Sequence, residues 1–311
     1  ISRGAFGQVL LAKKKGTGLY YAIKVMAKAH VKNPEHVIAE QRVLRGTSND
    51  FVVKLFYSFE SAINLYFVLE FVIGGDCASL LVNCGAFDVD LARFYLAEAI
   101  QGLDYLHRNG IVHMDVKPEN FFMSSTADDA RAYVGDFDVC LTAEERCESA
   151  EAMQTRTMAG TMIYLVPECI PQAGETLKDV MARITGAVDV YALGLVLRQV
   201  IHRNWVPVAH RTAPFETVGL DAEQRVVAAL AERMCKNEPA VRPTMIAVAF
   251  SLSTSQHERQ QVAEELLELD NLRMAASDEI RRAAEETRRL EGERCLLEGQ
   301  VQELQVAEEE R

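Results

Sequence analysis

The sequence contains no uninterrupted run of eighteen apolar residues, and its start lacks the basic-then-apolar order of a secretory leader. We therefore expect neither a membrane span nor a signal peptide. Its seven cysteines include no Cys-x-x-Cys pair, which argues against a zinc site and a disulfide framework. The expected location is a reducing, intracellular compartment, cytoplasmic or nuclear. The chain begins on Ile1 instead of Met, so we expect it to lack its extreme N-terminus.

Basic residues are also scarce. The chain has 33 Lys and Arg against 45 Asp and Glu, which gives a formal net charge of −12. Nucleic acids and anionic lipid surfaces bind to clustered cations, and this balance argues against both as partners. Apolar residues, in contrast, make up 49% of the 311 positions. That is enough for a folded core of roughly 250 residues with an extension.

The first part of the chain has the apolar pattern of β-strands, interrupted by one amphipathic helix at 35–44. After Gly74 and Gly75 the apolar period becomes helical, as in 91–107 and 188–200. We predict a small sheet with a single helix, followed by a mainly helical second lobe. The predicted strands of the first part are 8–12, 19–25, 51–59 and 64–69.

Beyond Ser255 the chain is rich in Glu, Arg, Leu, Ala and Gln and contains no proline. Thirteen positions from 262 to 304 are spaced alternately by four and three residues, and ten of them are Val, Leu, Ile or Ala. This heptad pattern predicts a coiled coil. Arg273 and Arg294 fall on the seam, which leaves a single charged helix as the alternative.

Phosphoryl transfer requires a cover for the phosphates, a cation, metal ligands and a residue that orients the nucleophile. Gly4 and Gly7 lie between strand-like segments, and their lack of a Cβ would let backbone N–H groups approach phosphates. Glycine pairs are, however, also common in ordinary turns. Lys24 ends a predicted buried strand, where a cation needs an anionic partner. Glu40 on the single helix is the predicted partner.

A second group of polar residues occupies the segments HMDVKPEN and GDFD. It contains Asp115, Lys117, Asn120 and Asp136. Amide and carboxylate oxygens suit Mg²⁺, and a carboxylate can accept the proton of a hydroxyl group. The two groups together supply every part that phosphoryl transfer needs.

The order and spacing of these residues resemble the protein kinase signature over residues 1 to about 252. The resemblance implies an α+β, two-lobed protein kinase fold that binds ATP and Mg²⁺. The kinase domain would cover 1–252, and the heptad-patterned helix would cover 253–311. Within the domain, the small lobe would be 1–69, the hinge 70–76 and the large lobe 77–252.

The resemblance also implies a role for each polar residue. Lys24 would hold the α- and β-phosphates, Asp115 would be the catalytic base, and Lys117 would contact the γ-phosphate. Asn120 and Asp136 would bind Mg²⁺. A Lys two residues after the catalytic Asp is the Ser/Thr form of the signature.

The segment 64–76 resembles the kinase hinge and implies an adenosine site. Leu69 would be the gatekeeper, while Glu70 and Val72 would offer backbone hydrogen bonds to adenine. Asp76 would lie near the ribose. Each apolar position of this site is explained equally well as an ordinary core residue. The side chains expected to sandwich the adenine ring are Val9, Ala22 and Phe122.

Other motifs imply structural anchors and a subgroup. Glu168 and Arg242 would form a buried ion pair, in which the loss of either partner leaves a costly bare charge. Asp189 would be a further anchor of the large lobe. The segments 51–60 and 73–76 resemble the AGC group of kinases, particularly its microtubule-associated and Greatwall-like members.

The chain departs from the family pattern at three positions in the site. Ser2 occupies the first glycine position of the loop, where its small hydroxyl should have a minor effect. Met114 replaces the Arg that in many kinases pairs with a phosphorylated activation segment, so the usual charge-assisted switch lacks its receptor. Asp138 replaces a glycine, and we expect an unusual φ there as well as extra negative charge beside Mg²⁺. Two long segments, 124–131 and 169–187, are expected to be surface loops.

The predicted function is ATP-dependent transfer of the γ-phosphate to Ser or Thr hydroxyls of protein substrates. The alternative is a weakly active or inactive pseudokinase that acts as a coiled-coil scaffold, which the substitutions Met114 and Asp138 suggest. The complete set of signature residues favours the enzyme. The segment 257–311 is expected to mediate self-association or to bind a partner helix.

Overall fold

The computed structural model describes residues 2–4, 7–31, 34–124, 131–143, 164, 166–201 and 221–252. The predicted heptad helix at 253–311 lies outside these residues, so its coiled coil stays a prediction. Every strand, helix and contact counted below belongs to these residues.

The small lobe is one antiparallel sheet of five strands with the order β1-β2-β3-β5-β4. A single helix, α1 (Pro34–Gly46), follows the third strand. The predicted sheet with one helix is therefore confirmed. The strands are β1 (Ser2–Gly4), β2 (Gly7–Lys13), β3 (Tyr20–Ala27), β4 (Leu55–Glu60) and β5 (Asn64–Glu70).

The strand predicted at 51–59 begins later than expected, at Leu55. The preceding residues pair with the large lobe instead: Val53 N–H donates to Val134 O at 2.9 Å, and Val134 N–H donates to Phe51 O at 2.8 Å. Buried backbone groups need hydrogen-bond partners, and here the partner belongs to the other lobe. Residues 51–53 therefore connect the two lobes through backbone hydrogen bonds.

The large lobe is mainly helical and carries short two-stranded ribbons near the site. Helices predicted at 91–107 and 188–200 are confirmed as α3 (Val89–Arg108) and α5 (Ala187–Ile201). None of the described helices is long and apolar enough to cross a bilayer. The other helices are α2 (Cys77–Cys84), α4 (Leu177–Arg183), α6 (Ala222–Met234) and α7 (Met245–Leu252). The ribbon strands are β6 (Ile111–Val112), β7 (Phe121–Met123), β8 (Ala132–Val134) and β9 (Leu141–Thr142).

The core of the large lobe forms where α3 and α5 pack, because both helices are apolar on the faces that meet. Leu103 and Leu106 of α3 and Leu193 and Leu197 of α5 have at most 1% of their surface exposed. Truncating one such leucine to Ala costs about 2–5 kcal/mol. Gly102 is required in α3, because a Cβ there would lie 2.6 Å from Phe51 O.

The segment 169–187 is not the simple surface loop that the sequence suggested. It contains α4, whose N-terminus is closed by reciprocal hydrogen bonds between Thr176 and Asp179. Val180 and Ile184 have at most 1% of their surface exposed. Both residues belong to the buried, apolar face of this short helix, so the prediction of a surface loop is wrong for 169–187.

Candidate active site

Lys24 and Glu40 meet as the sequence predicts. Lys24 lies on β3 opposite Val9 of β2 and Phe67 of β5. Its Nζ donates to Glu40 Oε1 of α1 at 2.7 Å. Glu40 is 4% exposed, so the pair is shielded from water and the attraction between its charges is stronger than in a surface ion pair.

Asp138 is a third member of this cluster, which the sequence did not predict. Its Oδ1 contacts Lys24 Nζ directly, while Asp136 Oδ1 lies 3.7 Å from the same nitrogen. One carboxylate oxygen from each of Glu40, Asp136 and Asp138 lies within 4.8 Å of the other two. One ammonium group therefore faces three carboxylates.

The unusual backbone expected at Asp138 is found elsewhere. Asp136 and Met114 have φ of 64° and 68°, whereas Asp138 is not among the described non-glycine residues with positive φ. The expectation of strain at Asp138 is therefore wrong. The glycine usual at that position is not required by this conformation.

The charges of the cluster shift one another's pKa values. Burial disfavours the Lys24 ammonium, but the neighbouring carboxylates outweigh burial and raise the pKa of Lys24. Burial raises the pKa of Glu40 to about 8, although Lys24 opposes the shift. Burial also acts on Asp138, but the Lys24 charge outweighs it and lowers the pKa of Asp138. The pKa of Asp136 is raised by burial and by the Asp138 charge.

The predicted base lies in a compact set of hydrogen bonds in the large lobe. Lys117 Nζ donates to Asp115 Oδ2 at 2.5 Å. Asn120 Nδ2 donates to the backbone O of Asp115 at 2.8 Å and to its Oδ2 at 3.2 Å. Asp115 is 8% exposed, so these bonds fix its carboxylate at the floor of the cleft.

His113 connects this loop to the segment that carries Asp136. Its Nε2 lies 3.0 Å from Gly135 O, and Asp115 N–H donates to its Nδ1 at 3.3 Å. A neutral ring that carries its proton on Nε2 satisfies both contacts. The side chain is fully buried. His113 belongs to the segment HMDVKPEN, and no feature of that segment predicts this linking role.

Asp189 accepts hydrogen bonds from the backbone of the same loop, which confirms it as an anchor. It accepts hydrogen bonds from the backbone N–H groups of His113 and Met114 at 2.8 and 2.9 Å. Its Oδ2 also lies 2.7 Å from His107 Nε2. The left-handed backbone of Met114 costs a residue with a Cβ roughly 1–2 kcal/mol, and the bond to Asp189 stabilises it.

Asn120 and Asp136 have the chemistry that Mg²⁺ requires. Because Asn120 directs its Nδ2 at Asp115, its amide oxygen is the atom left to meet a metal. The Asp136 side chain is 37% exposed, which leaves its carboxylate accessible from the cleft. An amide oxygen and a carboxylate are hard ligands, so these residues fit the ion.

The predicted adenine-binding residues come together at the edge where the lobes meet. Ala22 is opposite Leu69 in the β3–β5 pairing, and Val9 lies on the neighbouring strand β2. Phe122 forms a β-bridge with Asp76. The segment 64–76 is thus paired with Ala22 of the small lobe and with Phe122 of the large lobe.

Glu70 and Val72, the two hinge residues predicted to bind adenine, differ in their backbone hydrogen bonds. Glu70 N–H already donates to Lys54 O at 2.9 Å, which leaves its carbonyl as the candidate for adenine. Within the described part of the chain, the backbone of Val72 forms no hydrogen bond. Asp76 caps α2 by accepting bonds from Ser79 N and Oγ at 2.8 and 2.9 Å, so both its oxygens are engaged near the predicted ribose position.

The glycines of the first turn have a role in strand pairing. Gly4 pairs with Gly7 where β1 meets β2. Gly7 has φ of 149°, and a Cβ there would overlap the carbonyl oxygen of Val25 on β3. The glycine at this position therefore allows the turn to approach the sheet closely.

The predicted ion pair of the large lobe is confirmed. Arg242 donates to both oxygens of Glu168, at 2.5 and 2.8 Å. Arg242 also donates to Ala187 O at 2.8 Å and lies over the Tyr191 ring. A bidentate, buried pair of this kind fixes the position of the chain around Glu168.

A scan against family models matches residues 1–278 to the protein kinase domain. The chain belongs to the protein kinase family. Membership establishes the predicted two-lobed α+β fold. The match extends beyond residue 252, and the boundary between kinase domain and heptad segment stays a prediction.

Among curated proteins, this kinase chain is similar to several named as serine/threonine kinases. It is 53% identical over 126 residues to a probable serine/threonine-protein kinase of Dictyostelium discoideum, covering 40% of this chain and 6% of that protein. It is 37% identical over 227 residues to a probable serine/threonine protein kinase of Arabidopsis thaliana, covering 65% and 17%. It is 46% identical over 128 residues to greatwall of Xenopus laevis, covering 40% and 14%.

These relatives confirm the resemblance to AGC-type and Greatwall-like kinases. The chain spans between 6% and 17% of the lengths of the three relatives. Their names describe much longer proteins.

Proposed function

We propose that this chain is a Ser/Thr protein kinase that transfers the γ-phosphate of ATP to hydroxyl groups of protein substrates. The observation that carries the proposal is the hydrogen-bonded set of Asp115, Lys117 and Asn120. His113 of the same loop lies 3.0 Å from Gly135 O, and the next residue, Asp136, lies 3.7 Å from Lys24 Nζ, so this set is close to the Lys24–Glu40 pair. Phosphoryl transfer depends mainly on positioning and on charge neutralisation, and these two groups supply both.

Each residue of the site has a separate role in the proposed phosphoryl transfer. Lys24, held by Glu40, is the cation for the phosphates at the roof of the cleft. Asp115 accepts a hydrogen bond from the substrate hydroxyl and so orients it. Lys117 lies beside that carboxylate, where its charge can meet the group being transferred. Bound Mg²⁺, held by Asn120 and Asp136, would supply neutralisation of phosphate charge.

The preference for Ser and Thr is supported by the position of Lys117. It lies two residues after the base and contacts it at 2.5 Å, which is the Ser/Thr arrangement of the signature. The curated relatives named above are also called serine/threonine kinases. We infer an intracellular site of action, because ATP and reduced thiols are found together there.

A transfer assay with radiolabelled ATP tests the proposal. We expect the wild type to label a Ser/Thr-containing protein mixture, and Asp115→Asn to lose at least about 10²-fold of the rate. Asp50→Asn, which removes an exposed carboxylate whose ion pair is with Lys54, is the matched control and should keep full activity. Equal labelling by the wild type and Asp115→Asn would overturn the proposal.

We also propose that 257–311 forms a coiled coil, either with a second copy or with a partner helix. The heptad pattern of ten apolar residues in thirteen positions supports it. Sedimentation of the full chain at micromolar concentration, compared with a chain truncated after residue 256, tests self-association. A dimer that the truncation abolishes is the expected result. A monomer for both would contradict self-association.

A further inference from the structure

The Lys24 ammonium is shared by carboxylates from both lobes. An ammonium group has three N–H bonds. Glu40 takes one at 2.7 Å, and Asp138 takes a second in direct contact. Asp136 lies 3.7 Å from the same nitrogen. Little of the Lys24 charge is left uncompensated in this arrangement.

Asp138 differs from the other two carboxylates in what it does for the site. Glu40 positions Lys24 from α1, and Asp136 is placed to bind metal. Asp138 has neither task, yet its side chain is only 15% exposed and lies on the cation that the phosphates need. A phosphate approaching Lys24 must therefore meet Asp138 as a competitor of the same charge.

We propose that Asp138 is a specificity-determining residue that makes the cleft select metal-bound over metal-free nucleotide. This inference rests on the proposed kinase function. Phosphates without a metal would compete with Asp138 for Lys24 and be repelled by both Asp138 and Asp136. Phosphates that carry Mg²⁺ bring the positive charge that compensates these carboxylates, so the repulsion is much weaker.

Nucleotide binding tests the inference without relying on catalysis. Dissociation constants for ATP and adenosine are measured by calorimetry, in EDTA and in excess Mg²⁺, for the wild type, Asp138→Gly and Asp138→Asn. In EDTA both variants should bind ATP about tenfold more tightly than the wild type, because a like charge close to the phosphates is gone. In excess Mg²⁺ the difference should shrink.

Two controls separate this effect from others. Adenosine has no phosphate to meet Lys24, so its affinity should be the same in all variants. Glu60→Gln removes an exposed carboxylate that pairs with Lys28 at 2.8 Å, and its ATP binding should equal that of the wild type. Asp138→Asn keeps the size of the side chain, and thermal unfolding shows whether either variant is destabilised.

The inference is overturned if neither variant binds ATP more tightly than the wild type in EDTA. It is also overturned if adenosine affinity rises as much as ATP affinity, because the pocket would then have changed as a whole. A tighter metal-free complex without any phosphoryl transfer by the wild type would contradict the kinase proposal alone. No ATP binding by any variant, with or without Mg²⁺, would contradict both.

Discussion

The two charged groups that face the cleft are built in different ways. The Lys24 cluster draws its members from β3, α1 and the segment after Gly135, so it forms only when both lobes are in place. Asp115, in contrast, is held by residues within five positions along the chain and by Asp189 through the backbone. The first group depends on charge and on the relation between lobes, and the second depends on local hydrogen bonds.

The two groups should differ in how well they tolerate the substitution of one member. If Glu40 is removed from the Lys24 cluster, Asp136 and Asp138 still face the ammonium group, so no bare charge is left. A buried hydrogen-bond network leaves bare polar groups when one acceptor is removed. We therefore expect changes at Asp189 to affect stability and changes at the Lys24 cluster to affect nucleotide binding.

The largest expected effect is that of Asp189→Ala. It would leave the N–H groups of His113 and Met114 buried without an acceptor, and the free energy of unfolding should fall by about 3 kcal/mol or more. Urea denaturation measures it. Asp50→Ala, at an exposed position, should change stability by about 0.5 kcal/mol at most. A loss of similar size in both variants would remove the distinction between the two groups.

Lys117→Met should act on turnover. The side chain keeps its length but loses the charge beside Asp115, and kcat should fall about 10- to 100-fold, with little change in the KM for ATP. Steady-state kinetics separate the two constants, and Lys178→Met, at an exposed position of α4, is the control. A raised KM with unchanged kcat would show that Lys117 serves binding alone.

Glu40→Gln should affect nucleotide binding more than stability. Burial raises the pKa of Glu40 to about 8, so its charge is costly to keep and an amide should be tolerated within about 1 kcal/mol. The KM for ATP should rise about tenfold, since Lys24 loses its partner on α1. A large loss of stability would show that this cluster, too, is a structural network.

The smallest expected effect is the pH dependence of the Asp189 network. Burial opposes the charge of Asp189, but the hydrogen bond and charge of His107 outweigh burial and lower the pKa of Asp189. Its contribution to stability should therefore be complete above about pH 4 and decrease as the pH falls further. The stability difference between wild type and Asp189→Asn, measured along a pH series, should shrink on acidification. A difference that grows below pH 4 would contradict this sign.

Much of the site could be predicted from the sequence because its parts lie in short segments. Asp115, Lys117 and Asn120 are within six positions of one another, so the local turn brings them together in the fold. The pairing of Lys24 with Glu40 was also accessible, because a buried cation requires a partner and α1 offered a glutamate. The buried pair of Glu168 and Arg242, far apart in sequence, followed from the family resemblance.

Other features depended on contacts between segments that are distant in the chain. No pattern in the sequence places Asp138 on Lys24, because that contact spans 114 positions and both lobes. The strand expected at 51–59 was shortened because its first residues found hydrogen-bond partners in Val134. The apolar face of α4 could be recognised only once the surface that covers it was known.

The motifs of the chain, and the family resemblance that they carry, were enough to predict the two-lobed fold and the groups that face the phosphates. Local propensity, apolar period and motif spacing are properties of neighbouring residues, and they can be recognised without knowledge of the folded chain. The carboxylates that share the Lys24 charge became known only from the folded chain, because electrostatic energy depends on distance and burial in space. That arrangement is what makes Asp138 a candidate for selecting the form of the nucleotide.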